Sequence, residues 1–218
     1  MGGGYSKITD LPQVAPLFPL SGVLLLPRGH LPLNIFEPRY LNMIDDVMGS
    51  DRVIALVQTR EGGERARPAL AAVGCLGRVT SFAETSDGRY LIELSGVCRF
   101  RLGPELNAPT PYRQARLDYA AFATDLEPAP DVSGSRSELL AALRAYLERR
   151  GLSVDWEAAG QAPTEALVNS LSMALPFEPA EKQALLEAAG LHDRLHTLHA
   201  LLRMGAALGE DDEPPPVQ

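Results

Sequence analysis

The arrangement of apolar residues changes near residue 125, and this change constrains the fold more than any other feature. Before that point, short apolar runs alternate with Gly, Pro and Asp, which is typical of many short strands joined by turns. After it, leucines recur at helical spacing between prolines and glycines. The sequence predicts an α+β chain with a β unit at residues 15–122, a helical unit at 135–208, and flexible termini at 1–14 and 209–218.

The β unit contains several predicted strands. We expect them at residues 17–20, 23–26, 31–36, 52–59, 73–82, 90–94, 97–102 and 113–122. Asp87-Gly88 is a strong hairpin signal, whereas the polar residues 60–68 indicate a loop. Gly96 separates two strands, and in the second of them Arg99 and Arg101 alternate with apolar residues. That alternation predicts outward-facing arginines.

One helix interrupts the strands, and its limits are marked by local signals. Pro38 suits the first helical turn, Glu37 complements the positive end of the helix dipole, and Gly49 suits the end. The apolar face is formed by Tyr40, Ile44 and Val47. Asp45 and Asp46 are neighbours on the predicted helix, so we expect them on its solvated face.

The helical unit follows a predicted linker at residues 125–135, which is polar and contains Pro and Gly. Ser135 and Glu138 form a candidate capping box, and further helices are predicted to open at Pro163, Pro179 and Gly190. A polar linker favours hinge motion between the two units. A cleft between them would then suit an extended apolar segment with basic flanks.

Charge argues against a nucleic-acid partner. The chain has 20 Lys and Arg against 28 Asp and Glu, a net charge of −8. Residues 1–125 are neutral, so the excess lies entirely in residues 126–218. The most apolar stretch, residues 23–26, is too short to cross a membrane. We expect Cys75 and Cys98 to be buried, reduced thiols of a cytoplasmic protein.

Several segments, in order and at matching spacing, resemble the N-terminal substrate-binding domain of Lon proteases. They are residues 17–27, 33–40, 73–79, 94–100 and 175–187. The resemblance implies a PUA-like β pseudo-barrel with one inserted helix, followed by a helical bundle. It also implies contact with substrate proteins, particularly with exposed apolar segments of misfolded ones.

The resemblance does not bring Lon's chemistry with it. The printed sequence has no Gly-x-x-x-x-Gly-Lys-Ser/Thr motif for an ATPase. Lon's peptidase uses a Ser–Lys dyad, and Lys182, the only lysine beyond Lys7, is expected to be solvated. We therefore expect a non-catalytic module without a cofactor. Its partners would be unfolded or partly folded polypeptides and a protease or chaperone, with no nucleic acid and no membrane.

The binding surface is expected around residues 31–40 and the edge of the barrel. Its candidate residues are Leu31, Leu33, Ile35, Phe36, Glu37, Arg39 and Tyr40. Functionally, Glu37, Arg39 and Tyr40 would line a groove beside the barrel mouth. Structurally, Glu37 would cap the helix, Arg39 would pair with a carboxylate, and Tyr40 would pack. For each residue taken singly, the structural interpretation is favoured.

Two other functions remain as alternatives. PUA-like folds include RNA-binding members, and Arg99 and Arg101 flank Phe100, although no basic cluster accompanies them. A metal site is the second, because His192, His196 and His199 share one helical face. No carboxylate lies on that face and Arg203 does, so we expect a polar stripe and no metal.

Overall fold

Five strands form a closed ring in the first part of the fold. A computed structural model describes residues 5–64, 67–129, 132 and 136–207. The strands are β1 (Val14–Leu20), β2 (His30–Ile35), β3 (Val53–Glu64), β4 (Arg67–Leu70), β5 (Val73–Glu84), β6 (Tyr90–Glu105) and β7 (Gln114–Asp118). The order β1-β7-β6-β5-β3 is closed by parallel pairing of β1 with β3. Outside the ring, β2 pairs with β6 and β4 with β3.

One helix is inserted in the strand region and the others follow it. They are α1 (Pro38–Met48), α2 (Arg136–Arg150), α3 (Trp156–Gln161), α4 (Thr164–Ala174), α5 (Pro179–Glu187) and α6 (Leu191–Ala207). Short 3-10 helices occur at Ile8–Asp10 and Ala120–Leu126. The predicted fold class is confirmed, whereas the domain boundaries stay a prediction. Ser135 and residues 209–218 lie outside the described residues.

The helix α1 has the predicted limits. Pro38 occupies its first turn and Gly49 its C-cap. Its buried face comprises Tyr40, Met43, Ile44 and Val47. These side chains fill the barrel core because they recur every three or four residues on one side.

Four local predictions about the strand region are wrong. Residues 23–26 form no strand, because Leu24–Leu26 are buried as an irregular segment without a ladder. The expected loop at 60–68 is instead a hairpin of β3 and β4 with a bulge after Arg60. Its exposed side chains lack the apolar alternation that marks a half-buried strand. β6 runs unbroken through Gly96, which lies at a register shift, and β7 ends at Asp118.

Arg99 is not exposed to solvent, contrary to the prediction. Only 1% of the residue is exposed, and its guanidinium donates to both carboxylate oxygens of Asp125 at 2.8 Å. It also donates to the carbonyls of Leu186, in the last turn of α5, and of Ala188 and Ala189, which follow that helix. Buried side chains alternate along β6 at Leu94, Cys98 and Phe100, so Arg99 lies on the opposite face of the strand. The 3-10 helix and the end of α5 cover that face, and the buried charge is tolerated because it is paired and hydrogen-bonded.

The prediction of a linker at residues 125–135 is wrong at its first residue, because Asp125 is buried and forms an ion pair with Arg99. Other polar side chains also cross between the ring and the helices. The amide of Gln58 donates to the carbonyl of Pro179 at 3.0 Å, and that of Asn169 donates to the carbonyl of Pro27 at 3.0 Å. These bonds join the two parts in the structure, and hinge motion between them stays a prediction.

Lys182 is also not solvated. Its ammonium donates to the carbonyls of Gly22 at 2.9 Å and Met173 at 3.3 Å, and only 8% of the residue is exposed. Burial lowers its pKa. The apolar spacing of α5 could not show this, because both acceptors lie in other segments of the chain.

Candidate functional site

Strand β2 carries three of the predicted binding residues, and all three lie on one face of the strand. Leu31, Leu33 and Ile35 pair with Leu94, Ile92 and Tyr90 of β6. Ile35 is buried, whereas Leu31 and Leu33 are half-buried against the core. Alternation along the strand sends their neighbours to the opposite face. Ile35 is therefore part of the core, and only Leu31 and Leu33 retain surface for a partner.

Phe36 is the most exposed of the predicted residues. It lies directly after β2, and 64% of it is accessible to solvent. Phe82 and Leu91, near the hairpin that joins β5 to β6, are also exposed. Leu91 pairs with Asn34, two residues before Phe36, whereas Phe82 pairs with Ile92, so the three residues lie at one end of the sheet, with Phe82 and Leu91 on opposite faces. Exposed large apolar side chains at one end of a sheet are candidates for an interaction surface.

A groove lies beside the first turn of α1. We call it the arginine groove, and its volume is about 180 Å³. Its polar lining includes Arg39, Tyr40, Arg67, Tyr112 and Arg113, and its walls are otherwise formed mainly by proline and leucine. Arg39 and Tyr40 thus line a groove, and their role in binding stays a prediction. Glu37 is not part of the lining.

Glu105, which does not line the arginine groove, forms hydrogen bonds with two of its arginines. Arg113 donates to both its carboxylate oxygens, and Arg67 donates to one of them at 2.7 Å. Hydrogen bonds from Arg113, and secondarily from Arg67, hold the pKa of Glu105 below its ordinary value, although partial burial acts in the opposite direction. A third bond from Arg113 reaches the carbonyl of Pro68 at 2.9 Å. Arg113 is therefore a fixed wall of the groove.

Arg39 and Tyr40 also have the predicted structural roles. Arg39 pairs with Glu37 at 2.8 Å, and its guanidinium lies 4.6 Å above the Tyr40 ring. Tyr40 is only 6% exposed and packs edge-on against Phe18. Glu37 occupies the N-cap of α1, but its side chain makes no capping hydrogen bond. For Arg39 and Tyr40, packing and groove lining are thus compatible.

Two tyrosines fix α1 over the ring. Tyr90 donates to Asp45 at 2.9 Å, and Tyr112 donates to Asp46 at 2.6 Å. Both aspartates lie on the exposed face of α1, as predicted. Burial, followed by the bond to Asp46, raises the pKa of Tyr112. Sequence reasoning missed Arg67, Tyr112 and Arg113, because they reach the groove from segments distant in the chain.

His192, His196 and His199 lie on α6, as their helical spacing predicted. The Nε2 atoms of His192 and His196 are 3.0 Å apart on the exposed side of α6, and His199 is half-buried. In the part of the chain that the structure describes, no group of three or more His, Cys, Asp or Glu side chains is arranged to hold a metal ion.

Both cysteines are free and buried, as predicted. Burial raises the pKa of Cys75, and it raises that of Cys98 to about 12. Such thiols are protonated at neutral pH and are poor nucleophiles. They therefore contribute packing and no evident reactivity.

Comparison with known proteins assigns the ring and its helices to one family. A family model described as the ATP-dependent protease La (LON) substrate-binding domain matches residues 14–204. The chain belongs to this family. The predicted resemblance is thereby confirmed, over almost the whole of the described fold.

Relatives in this family include much longer proteins. Lon protease 2 of Myxococcus xanthus is 29% identical over 209 residues, which are 91% of this chain and 24% of that protein. Lon protease of Roseiflexus castenholzii is 26% identical over 200 residues, 88% of this chain and 24% of that protein. This chain thus spans about a quarter of the length of these curated relatives.

Solved structures show the same fold. A Lon N-terminal domain protein from Xanthomonas campestris matches with a TM-score of 0.62 at 23% identity, over 86% of this chain and 97% of its own. The N-terminal domain of Lon protease from the Mycobacterium avium complex matches with a TM-score of 0.62 at 16% identity, over 87% of this chain and 97% of that domain. Among the described residues, no helix has the length and apolar character needed to span a membrane.

Proposed function

We propose that this chain is a non-catalytic recognition module that binds exposed apolar segments of unfolded or partly folded polypeptides. Its membership of the Lon substrate-binding family supports a role in substrate recognition. The observation that carries the finer proposal is the exposure of Phe36, with Phe82 and Leu91 at the same end of the sheet. Large exposed apolar side chains gain free energy when a partner covers them. A protease or chaperone is the natural recipient of such a client.

The chemistry of individual residues supports the non-catalytic part of the proposal. The ammonium of Lys182 is committed to two backbone carbonyls, so it is not placed to activate a nucleophile. The thiols of Cys75 and Cys98 are buried with raised pKa values. The RNA alternative loses one of its two candidate arginines, because Arg99 is buried in an ion pair.

A binding assay with a matched variant tests the proposal. Fluorescence anisotropy would follow a labelled, reduced and alkylated model protein titrated with the purified chain. Phe36→Ser should weaken binding about tenfold, since covering a phenylalanine contributes roughly 1.5–3 kcal/mol. Met204→Ser, which removes a 58% exposed side chain from α6, should leave the affinity unchanged. Equal affinity of wild type and Phe36→Ser, or equal binding of a folded control protein, would refute the proposal.

A further inference from the structure

The arginine groove has a chemical character opposite to that of the whole chain. The net charge is −8, yet three guanidinium groups line this groove and no acidic residue is among the lining residues. Phe36, which carries the proposed apolar contact, lies three residues before Arg39. A polypeptide held at Phe36 would therefore pass close to a basic surface.

Two of the three guanidinium groups keep unused hydrogen-bond donors. Arg39 directs its ε and one η nitrogen to Glu37, and its other η nitrogen has no hydrogen bond within the described residues. Arg67 gives one η nitrogen to Glu105, while its ε nitrogen and second η nitrogen are unclaimed within the same residues. Its side chain is 64% exposed, so these donors are accessible. The guanidinium fork matches the two oxygens of a carboxylate.

Tyr40 adds a donor of a different kind. It lines the groove and is more than nine-tenths buried, yet no hydrogen bond to its hydroxyl is found within the described residues. Among the described residues, the fully buried hydroxyl groups without a hydrogen-bond partner are those of Tyr146 and Ser172. The hydroxyl of Tyr40 is not one of them, so it keeps some contact with solvent. A buried phenol normally finds a partner. A ligand oxygen in the groove would supply the missing acceptor.

The shape of the surface favours a side chain within a segment over a chain end. A second hollow, of about 380 Å³, shares Arg67, Pro111, Tyr112 and Arg113 with the arginine groove. The two hollows therefore adjoin at these residues, and Glu105 also lines the second one. An extended segment that crosses adjoining hollows can present one side chain to the donors.

We propose that the arginine groove binds the carboxylate side chain of an Asp or Glu residue in a bound polypeptide, adjacent to the apolar residue that contacts Phe36. This inference rests on the proposed function and adds a second element to client recognition. The preference is opposite to that expected of a cleft on the acidic helical unit. It predicts clients in which an acidic residue neighbours an apolar one.

Matched peptides test this inference on the full chain. Three labelled apolar peptides would be compared by fluorescence anisotropy at low salt: one with a central Glu, one with Gln at that position, and the Glu peptide with an amidated C-terminus. The Glu peptide should bind about three- to tenfold more tightly than the Gln peptide, as expected for one charge-assisted interaction. Amidation should have no effect, because the chain end is not the ligand.

Variants of the groove should abolish this preference without abolishing binding. Arg67→Gln and Tyr40→Phe should weaken binding of the Glu peptide and leave that of the Gln peptide unchanged. Arg101→Gln, an exposed change on β6, is the charge-matched control and should keep the full preference. Circular dichroism and thermal melting of each variant would show that the fold is retained.

The outcomes separate this inference from the proposed function. Equal binding of Glu and Gln peptides, with loss of both in Phe36→Ser, would overturn the carboxylate site and leave apolar recognition standing. A preference that disappears on amidation would assign the groove to a C-terminal carboxylate and overturn the side-chain assignment. Absence of binding by any of the peptides would refute both.

Discussion

Arg99 on β6 and Asp125 in the 3-10 helix form a bidentate ion pair in the interior, with both nitrogen–oxygen distances at 2.8 Å. The backbone N–H of Arg99 also donates to Asp125 at 3.0 Å. The remaining guanidinium donors reach carbonyls at and just after the C-terminal end of α5, and the guanidinium lies 4.7 Å from the centroid of the Phe122 ring. One side chain thus joins the ring to the helices. Such a pair contributes to their arrangement, because separating its partners would leave a buried charge unpaired.

Breaking this pair should be strongly destabilising. Arg99→Met leaves the Asp125 carboxylate buried without its partner, and we expect a loss of about 3–5 kcal/mol in the free energy of unfolding. Urea denaturation followed by circular dichroism measures the change. Arg99→Met combined with Asp125→Leu should cost less than the two single changes added together, because no unpaired charge remains.

An exposed ion pair provides the control. Arg89 and Asp87 pair at 2.9 Å at the hairpin between β5 and β6, and both side chains are about half exposed. Arg89→Met should leave the unfolding midpoint unchanged, since exposed pairs contribute little. If Arg99→Met behaves like Arg89→Met, the pair does not join the two parts of the fold.

Sequence reasoning succeeded where the signal was local. Pro38 and Gly49 marked α1 because a helix terminus is specified by residues within one turn of it. Asp87-Gly88 marked the hairpin for the same reason, since Gly88 adopts a φ of 78° there. The short helix α3 was missed, because its six residues offer too little periodicity.

The candidate site was predictable only in part. Arg39 and Tyr40 belong to a helix that the sequence defined, so their position at the barrel mouth could be anticipated. Arg67 and Arg113 come from β4 and from the segment before β7, and only the closed ring brings them together. The burial of Arg99 depends on the 3-10 helix and the end of α5, which cover the outer face of β6 and lie far from it in the sequence.

Acid should weaken the fold through Glu105. Its pKa is lowered from an ordinary value of 4.5, chiefly by the hydrogen bond from Arg113. A carboxyl with a lower pKa in the folded state binds fewer protons there than in the unfolded chain. Its contribution is therefore complete above about pH 4.5 and is lost as pH falls through the lowered pKa.

The variant Glu105→Gln tests this pH dependence. It should lower stability at pH 7, and the difference from wild type should shrink as pH falls below about 4.5. Unfolding midpoints in urea, measured between neutral and acidic pH, would follow the difference. Glu61→Gln, on the exposed part of β3, is the matched control and should leave the dependence of the unfolding midpoint on pH unchanged. A constant difference between Glu105→Gln and wild type across the range would contradict the assignment.

Gly96 should tolerate no side chain, because the irregular segment before β2 passes directly over it. A Cβ atom at this position would lie 2.0 Å from the carbonyl oxygen of Leu26, which is itself fully buried. Arg28 and Gly29 are hydrogen-bonded to Gly96 through the backbone, so the segment cannot move away without losing these bonds. Gly96→Ala should cost about 1–3 kcal/mol, the usual range for overpacking.

Gly160 in α3 is the matched glycine, since a Cβ there would meet nothing within 4 Å. Gly160→Ala should raise stability by about 0.5–1 kcal/mol, because alanine loses less conformational entropy in a helix. If the segment at Leu26 packs directly against Gly96, Gly96→Ala should lower the melting temperature and Gly160→Ala should raise it, each compared with wild type. A Gly96→Ala protein that melts at the wild-type temperature or above it would show that this segment is displaced in solution.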